Sequence, residues 1–186
     1  MVKKIGLILG SLRQDSNSQK IADSLKELFP ADVELTQIEI SDLPLYNPDY
    51  DEEGGQLPES YTRYRNQVKE QDGLIFIVAE YNRGLTAALK NAVDVASRPL
   101  GDGAMGGKPA LIASHSTGNV SGFGVNHQLR QSLVFLDIPV LAKPESYLAQ
   151  AHTLFGEDNK LNNEGTKNFL QTVVNTYLTF ANRFVD

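Results

Sequence analysis

The stretch Ile5-Gly6-Leu7-Ile8-Leu9-Gly10-Ser11-Leu12-Arg13-Gln14-Asp15-Ser16-Asn17-Ser18 decides how the chain is read. Ile5 to Leu9 is a continuous apolar run, as expected of a strand buried on both faces in a parallel sheet. It passes at once into Gly10, hydroxyl residues and an arginine, the composition of a strand-to-helix turn. Lys3 and Lys4 before the run give it the look of a secretory leader. The run is too short for one, however, and Arg13 and Asp15 follow it without a small-residue cleavage pattern. A buried first strand and a cytoplasmic protein are expected.

Two further runs have the same character, Leu74 to Ala79 and Ala110 to Ala113. Pro139-Val140-Leu141-Ala142 is a weaker one. Val33 to Ile40 alternates, with a slip of phase at Gln37-Ile38, and reads as an edge strand with one wet face. Helical stripes lie between the runs: Ile21, Leu25, Leu28 and Phe29; Leu85, Leu89, Ala92, Val93 and Ala96; Leu129, Leu133 and Leu136; and Leu170 through Phe184. Gln56 to Gln71 is a more polar helix with Pro58 near its first turn. Strand and helix thus alternate five times, which predicts α/β architecture with helices on both faces of a parallel sheet. With the alternating strand second in sequence, the expected order is 2-1-3-4-5, a flavodoxin-like three-layer sandwich. Residues 1–186 are expected to form a single domain, with one long loop at 41–56 that is functional or mobile.

Composition narrows the function. The chain has 17 Lys+Arg against 23 Asp+Glu, a net charge of −6, and no Cys. An acidic chain without a basic patch is not expected to bind nucleic acid. Without Cys there is no disulfide framework, thiolate metal site or Cys nucleophile. No apolar run approaches the roughly 18 residues of a membrane span. Ten of the acids fall between Glu27 and Thr62, a stretch without Lys or Arg, so the rest of the chain has a surplus of cations. The negative charge is concentrated in the edge strand and the long loop, where it discourages edge pairing.

In an open α/β sheet, ligands bind at the carboxyl ends of the strands, and three segments end there. Gly10 to Ser18 offers hydroxyls, a guanidinium and helix N-terminal N–H groups, a combination suited to a phosphate. The alternative is that Ser16 or Asn17 simply caps the helix. No Gly-Lys-Ser/Thr and no G-x-G-x-x-G is present, so a phosphomonoester such as that of FMN suits the segment better than a Walker or dinucleotide loop. Glu80-Tyr81-Asn82-Arg83-Gly84 follows the most apolar strand. It has polar edges for a planar heterocycle and a tyrosine for its face, or else it is a turn capped by Asn82. In the next helix Asn91 and Asp94 are poor helix formers, which hints at polar contacts. Ser114 to Gly124 carries hydroxyls and three glycines that permit close backbone approach. His115 invites a general-base reading, but no triad partner is near it in sequence. No metal-ligand spacing is present.

Taken together, these residues resemble the NADPH-dependent FMN reductase family, whose relatives include azoreductases, quinone reductases and chromate reductases. The resemblance rests on Gly10-Ser11-Leu12-Arg13 with Ser16, and on Glu80-Tyr81-Asn82-Arg83 with Leu89-Lys90-Asn91-Ala92-Val93-Asp94. It rests also on Gly107-Lys108-Pro109-Ala110 with Ser116-x-Gly118 and Leu129-Arg130, and on Leu43 to Asp49. It spans roughly residues 2 to 142. It implies an FMN phosphate held by Ser11, Arg13, Ser16, Asn17 and Ser18, and a flavin ring bordered by Glu80, Tyr81, Asn82, Arg83, Ser116, Thr117 and Gly118. Two positions depart from the family pattern: Ala79 stands where Pro is usual, and Ser18 where Asn is common.

The resemblance implies an oxidoreductase that takes hydride from NAD(P)H and passes it through FMN to a small-molecule acceptor by ping-pong kinetics. Such chemistry requires no catalytic acid, base or nucleophile from the protein. Arg83 is a candidate to meet an NADPH phosphate, the alternative being a solvated surface arginine. A homodimer or homotetramer is implied, with the second helix and Leu45-Tyr46 as candidates to cover the site. The alternatives are an FMN electron carrier and a non-enzymatic flavin-binding regulatory protein.

Overall fold

The computed structural model describes residues 1–185. Five strands, β1 (Lys4–Leu9), β2 (Glu34–Gln37), β3 (Gly73–Ala79), β4 (Ala110–His115) and β5 (Ser146–Leu148), pair in parallel in the order β2-β1-β3-β4-β5. Five helices alternate with them: α1 (Asn17–Lys26), α2 (Glu59–Lys69), α3 (Ala87–Ala96), α4 (Phe123–Phe135) and α5 (Glu164–Ala181). The flavodoxin-like order expected from the alternation is the order observed.

Side chains alternate across each strand, and the sheet therefore has two apolar faces. Ile5, Leu7, Leu9, Ile75, Ile77 and Leu111 pack under α1 and α5. Ile8, Leu74, Phe76, Val78 and Ile112 pack under α2, α3 and α4. This two-sided burial is why β1, β3 and β4 read as continuous apolar runs. None of the described helices is long and apolar enough to cross a membrane.

The phase slip at Gln37-Ile38 is where β2 ends. Val33 and Leu35 pack on the α1/α5 side, whereas Ile38 and Ile40 turn into the opposite core. The fifth strand differs from expectation. The Pro139–Ala142 run meets β4 in a single bridge, Val140 to Ala110. Regular pairing comes at Ser146–Leu148, beside Ala113–His115. Pro139 and Pro144 bracket the run and have no N–H to give a ladder.

The 41–56 loop is tied down. Asn91, from α3, accepts the Tyr46 main-chain N–H (2.8 Å) and donates to the carbonyls of Leu43 and Pro44. The Tyr61 hydroxyl donates to the Pro44 carbonyl. Arg65 of α2 makes a two-pronged pair with Asp51, at 2.7 and 2.8 Å, and also donates to the Val95 carbonyl. Asn91 thus has the polar contacts that its low helix propensity hinted at. Asp94 instead pairs with Lys90 one helical turn away.

Candidate functional site

The turns after β1, β3 and β4 lie together at the carboxyl edge of the sheet, and hydrogen bonds between them fix their arrangement. Gly10 passes close to β3: its N–H donates to the Ile77 carbonyl at 2.8 Å. A Cβ on Gly10 would sit 3.2 Å from both that oxygen and Leu89 Cδ2. The Thr86 hydroxyl, at the N-cap of α3, donates to the Gly10 carbonyl at 2.6 Å. The Glu80 N–H donates to the His115 carbonyl at 3.1 Å, which couples the β3 and β4 exits.

In the first turn Ser16 is the N-cap of α1, its hydroxyl accepting the Gln19 N–H. The N–H groups of Asn17 and Ser18, in the helix's first turn, have no intrahelical acceptor and carry the positive end of its dipole. Ser11 is half-buried and Arg13 exposed. The Arg13 guanidinium has no hydrogen bond or ion pair among the described residues, whereas Asp15 beside it is held by Lys20 at 3.0 Å. Ser11, Arg13 and Ser16 line a cleft of about 240 Å³ that reaches Ile38 and Ser41 on the chain leaving β2. Four of the five residues read as phosphate ligands, Ser11, Arg13, Ser16 and Asn17, therefore gather at the helix start. Ser18 lies differently. It is fully buried, and its hydroxyl is 2.7 Å from His115 Nε2.

In the second turn Tyr81 and Gly84 exchange main-chain hydrogen bonds, at 3.1 and 2.9 Å. Asn82 and Arg83 between them have φ of 50° and 63°, as in a type I′ turn. Asn82 is thus a turn residue, and Thr86 caps the helix. Tyr81 is 69% exposed at the rim. The Arg83 guanidinium is largely exposed and pairs with Glu80 Oε1 at 3.0 Å. The Glu80 carboxylate is buried, and its second oxygen, Oε2, has no hydrogen-bond partner among the described residues. Gln128 of α4 accepts the Leu85 N–H at 2.8 Å and so supports the hairpin from the side.

In the third turn the Ser116 hydroxyl accepts the Gly118 N–H at 3.2 Å, and the Gly118 carbonyl accepts from Gln150. Thr117 and Gly118 are exposed. Gly122, at the N-cap of α4, has φ of 74°, and a Cβ there would come within 3.1 Å of the His115 nitrogen.

His115 is not an exposed base. Burial pushes its imidazole down from the usual 6.5 to about 4, so it is neutral at pH 7. Because an unfolded His binds its proton near pH 6.5 and the folded one near 4, the unfolded state holds more protons between those values. Stability is therefore complete above pH 6.5 and falls as the pH drops, by roughly 3 kcal/mol at pH 4. Urea unfolding at successive pH values will show this loss, and it will be absent from His115→Gln. Parallel pH curves for the two proteins would refute it. The Ser18–His115 contact and the Thr86 and Gln128 supports lie far apart in sequence, and no local pattern marks them.

Residues 3–153 match the family described as NADPH-dependent FMN reductase. A quinone reductase of Pseudomonas putida is 44% identical over 97% of this chain and 95% of its own length. A 2-hydroxy-1,4-benzoquinone reductase of a Burkholderia species is 36% identical over 97% of each. Among solved structures, the flavoenzyme NAD(P)H:(acceptor) oxidoreductase FerB of Paracoccus denitrificans superimposes with a TM-score of 0.90 at 31% identity, over 98% of this chain and 99% of that one.

Proposed function

We propose, for a chain that belongs to the NADPH-dependent FMN reductase family, that it carries hydride from NAD(P)H to a quinone through FMN held by the three turns. The donor set fits the cofactor. The α1 N-terminus, the unpaired Arg13 guanidinium and the hydroxyls of Ser11 and Ser16 suit a phosphate dianion. Glu80 to Arg83 and Ser116 to Gly118 provide main-chain polar groups for the edge of a planar ring. Glu80 Oε2, buried and unpaired, is an acceptor waiting for a donor. The single observation that carries the reading is the gathering of an unpaired cation and unpaired N–H groups on the α1 start, beside two turns that present main-chain polar groups.

Bound there, the flavin supplies reversible two-electron hydride chemistry that no side chain of the protein offers. The protein's part is to bind and orient. The tied loops fix the floor, and Tyr81 at the rim offers an aromatic face to whichever planar molecule enters. Arg83, exposed beside the same rim, is the cation for an anionic donor. Donor and acceptor take turns at one open face, which predicts ping-pong kinetics. The names of the relatives support a quinone as acceptor. Exposed Leu100, Val134 and Phe135 support self-association, with a homodimer or homotetramer as the assembly.

The test is a visible spectrum of the purified protein with FMN, followed by anaerobic NADPH and then a benzoquinone. The flavin band should shift on binding, bleach with NADPH and return with quinone. Binding without bleaching favours an electron carrier, and no binding at all defeats the proposal.

A further inference from the structure

Ser18 and His115 are two polar side chains inside the apolar layer between the sheet and α1. Ser18 is fully buried and His115 is 6% exposed. Polar groups in such a layer are costly unless each satisfies the other, and these two do so at 2.7 Å across 97 residues of sequence. Their positions give the bond a further consequence. Ser18 is the second residue of α1, in the turn whose N–H groups face the first loop. His115 is the last residue of β4, its carbonyl holds the Glu80 N–H, and Ser116 to Gly118 follow directly. One hydrogen bond therefore joins the helix start at the first loop to the strand end from which the third loop departs and against which the second is held.

We propose that Ser18 and His115 are a positioning pair: by tying the first turn of α1 to the end of β4, they set the offset between the phosphate subsite and the ring subsite. The inference rests on the flavin reading above. A ligand with two anchors gains affinity only when the two subsites stay at a fixed spacing, since the second contact is then made at high effective concentration. FMN uses both anchors, whereas riboflavin, lacking the phosphate, uses the ring subsite alone.

Fluorescence titrations of FMN and riboflavin against the parent chain, Ser18→Ala, His115→Leu and His115→Gln test this. Loss of the bond in Ser18→Ala or His115→Leu should weaken FMN about tenfold and leave riboflavin within about twofold. His115→Gln, whose amide can still meet the Ser18 hydroxyl, should recover most of the FMN affinity. Unchanged FMN binding, or equal weakening of both flavins, would mean that the pair merely packs, and overturns the proposal. A parent chain that binds neither flavin overturns the flavin reading and this inference together. If the variants do not fold, the ring ¹⁵N signals of His115 in the parent chain serve instead. Titration with inorganic phosphate, which reaches the helix start alone, should shift them; signals that stay fixed reject the pair.

Discussion

Arg13→Ala weakens FMN binding by about 2 kcal/mol, roughly thirtyfold, and leaves riboflavin binding nearly unchanged. The expectation follows from the freedom of this guanidinium. It is exposed and has no hydrogen bond or ion pair among the described residues, so the fold loses only a weak Coulombic influence on Asp15 with it. A planar fork of donors placed at a helix start meets a phosphate through two charge-assisted bonds, which are stronger than neutral ones. Arg13→Lys keeps the charge without the fork and should fall between the two. Because the group is exposed, the gap between parent and Arg13→Ala should narrow as salt rises. Titrations of both flavins at two ionic strengths measure all of this. Equal loss of FMN and riboflavin affinity would place Arg13 at the ring instead, and no loss would remove it from the site.

Arg65→Ala should destabilise the fold by about 3–5 kcal/mol, the range for one partner removed from a buried ion pair. The side chains of Arg65 and Asp51 are only 8% and 13% exposed. Truncation leaves the Asp51 carboxylate in a nearly dry setting and also strips the Val95 carbonyl of its donor. The consequence reaches the 41–56 loop, because Asp51 also accepts the Tyr46 hydroxyl. Arg65 beside Asp51 holds its carboxyl below the usual carboxylate range. The pair's contribution is therefore present above the unfolded carboxylate value, about 3.9, and is lost as pH falls through the lower folded value. Chemical denaturation at pH 7 gives the main effect, and an acid series should show a steeper loss in the parent than in Arg65→Ala below about pH 4. A loss under 1 kcal/mol at pH 7 would mean that water reaches the pair freely.

The two pH responses are separable. His115 acts between pH 6.5 and about 4, where the native state refuses a proton that the unfolded chain accepts. Asp51 acts below that window, where Arg65 keeps the native carboxylate ionised after its unfolded counterpart has taken up a proton. One falls away in His115→Gln and the other in Arg65→Ala.

Much of this molecule could be read from the order of its residues. Continuous apolar runs mark strands covered on both faces, which is how β1, β3 and β4 lie. The slip at Gln37-Ile38 marks the place where the chain crosses from one core to the other. Asn91 was visible as a poor helix former, and the structure gives it three hydrogen bonds to the long loop. The fifth strand lies several residues beyond the Val140-Leu141 that hydropathy favours, because ladder formation depends on where proline withholds its N–H.

The class of fold, the strand order and three loops with the chemistry of a phosphate and a ring are legible in the order of the residues. These follow from local periodicity and from the rule that ligands meet α/β sheets at the strands' carboxyl ends. Which side chains face that edge and which turn away depends on tertiary packing. Ser18 reads as one more hydroxyl in a phosphate loop, yet the helical turn that exposes the N–H groups of Asn17 and Ser18 rotates its side chain under α1 and onto His115. Arg65 belongs to a segment that reads as a polar helix, yet the path of the preceding loop buries it against Asp51. In both cases the partner lies too far along the chain for periodicity to register. Burial then settles the outcome, because a polar group without water must find its partner wherever the fold has placed one.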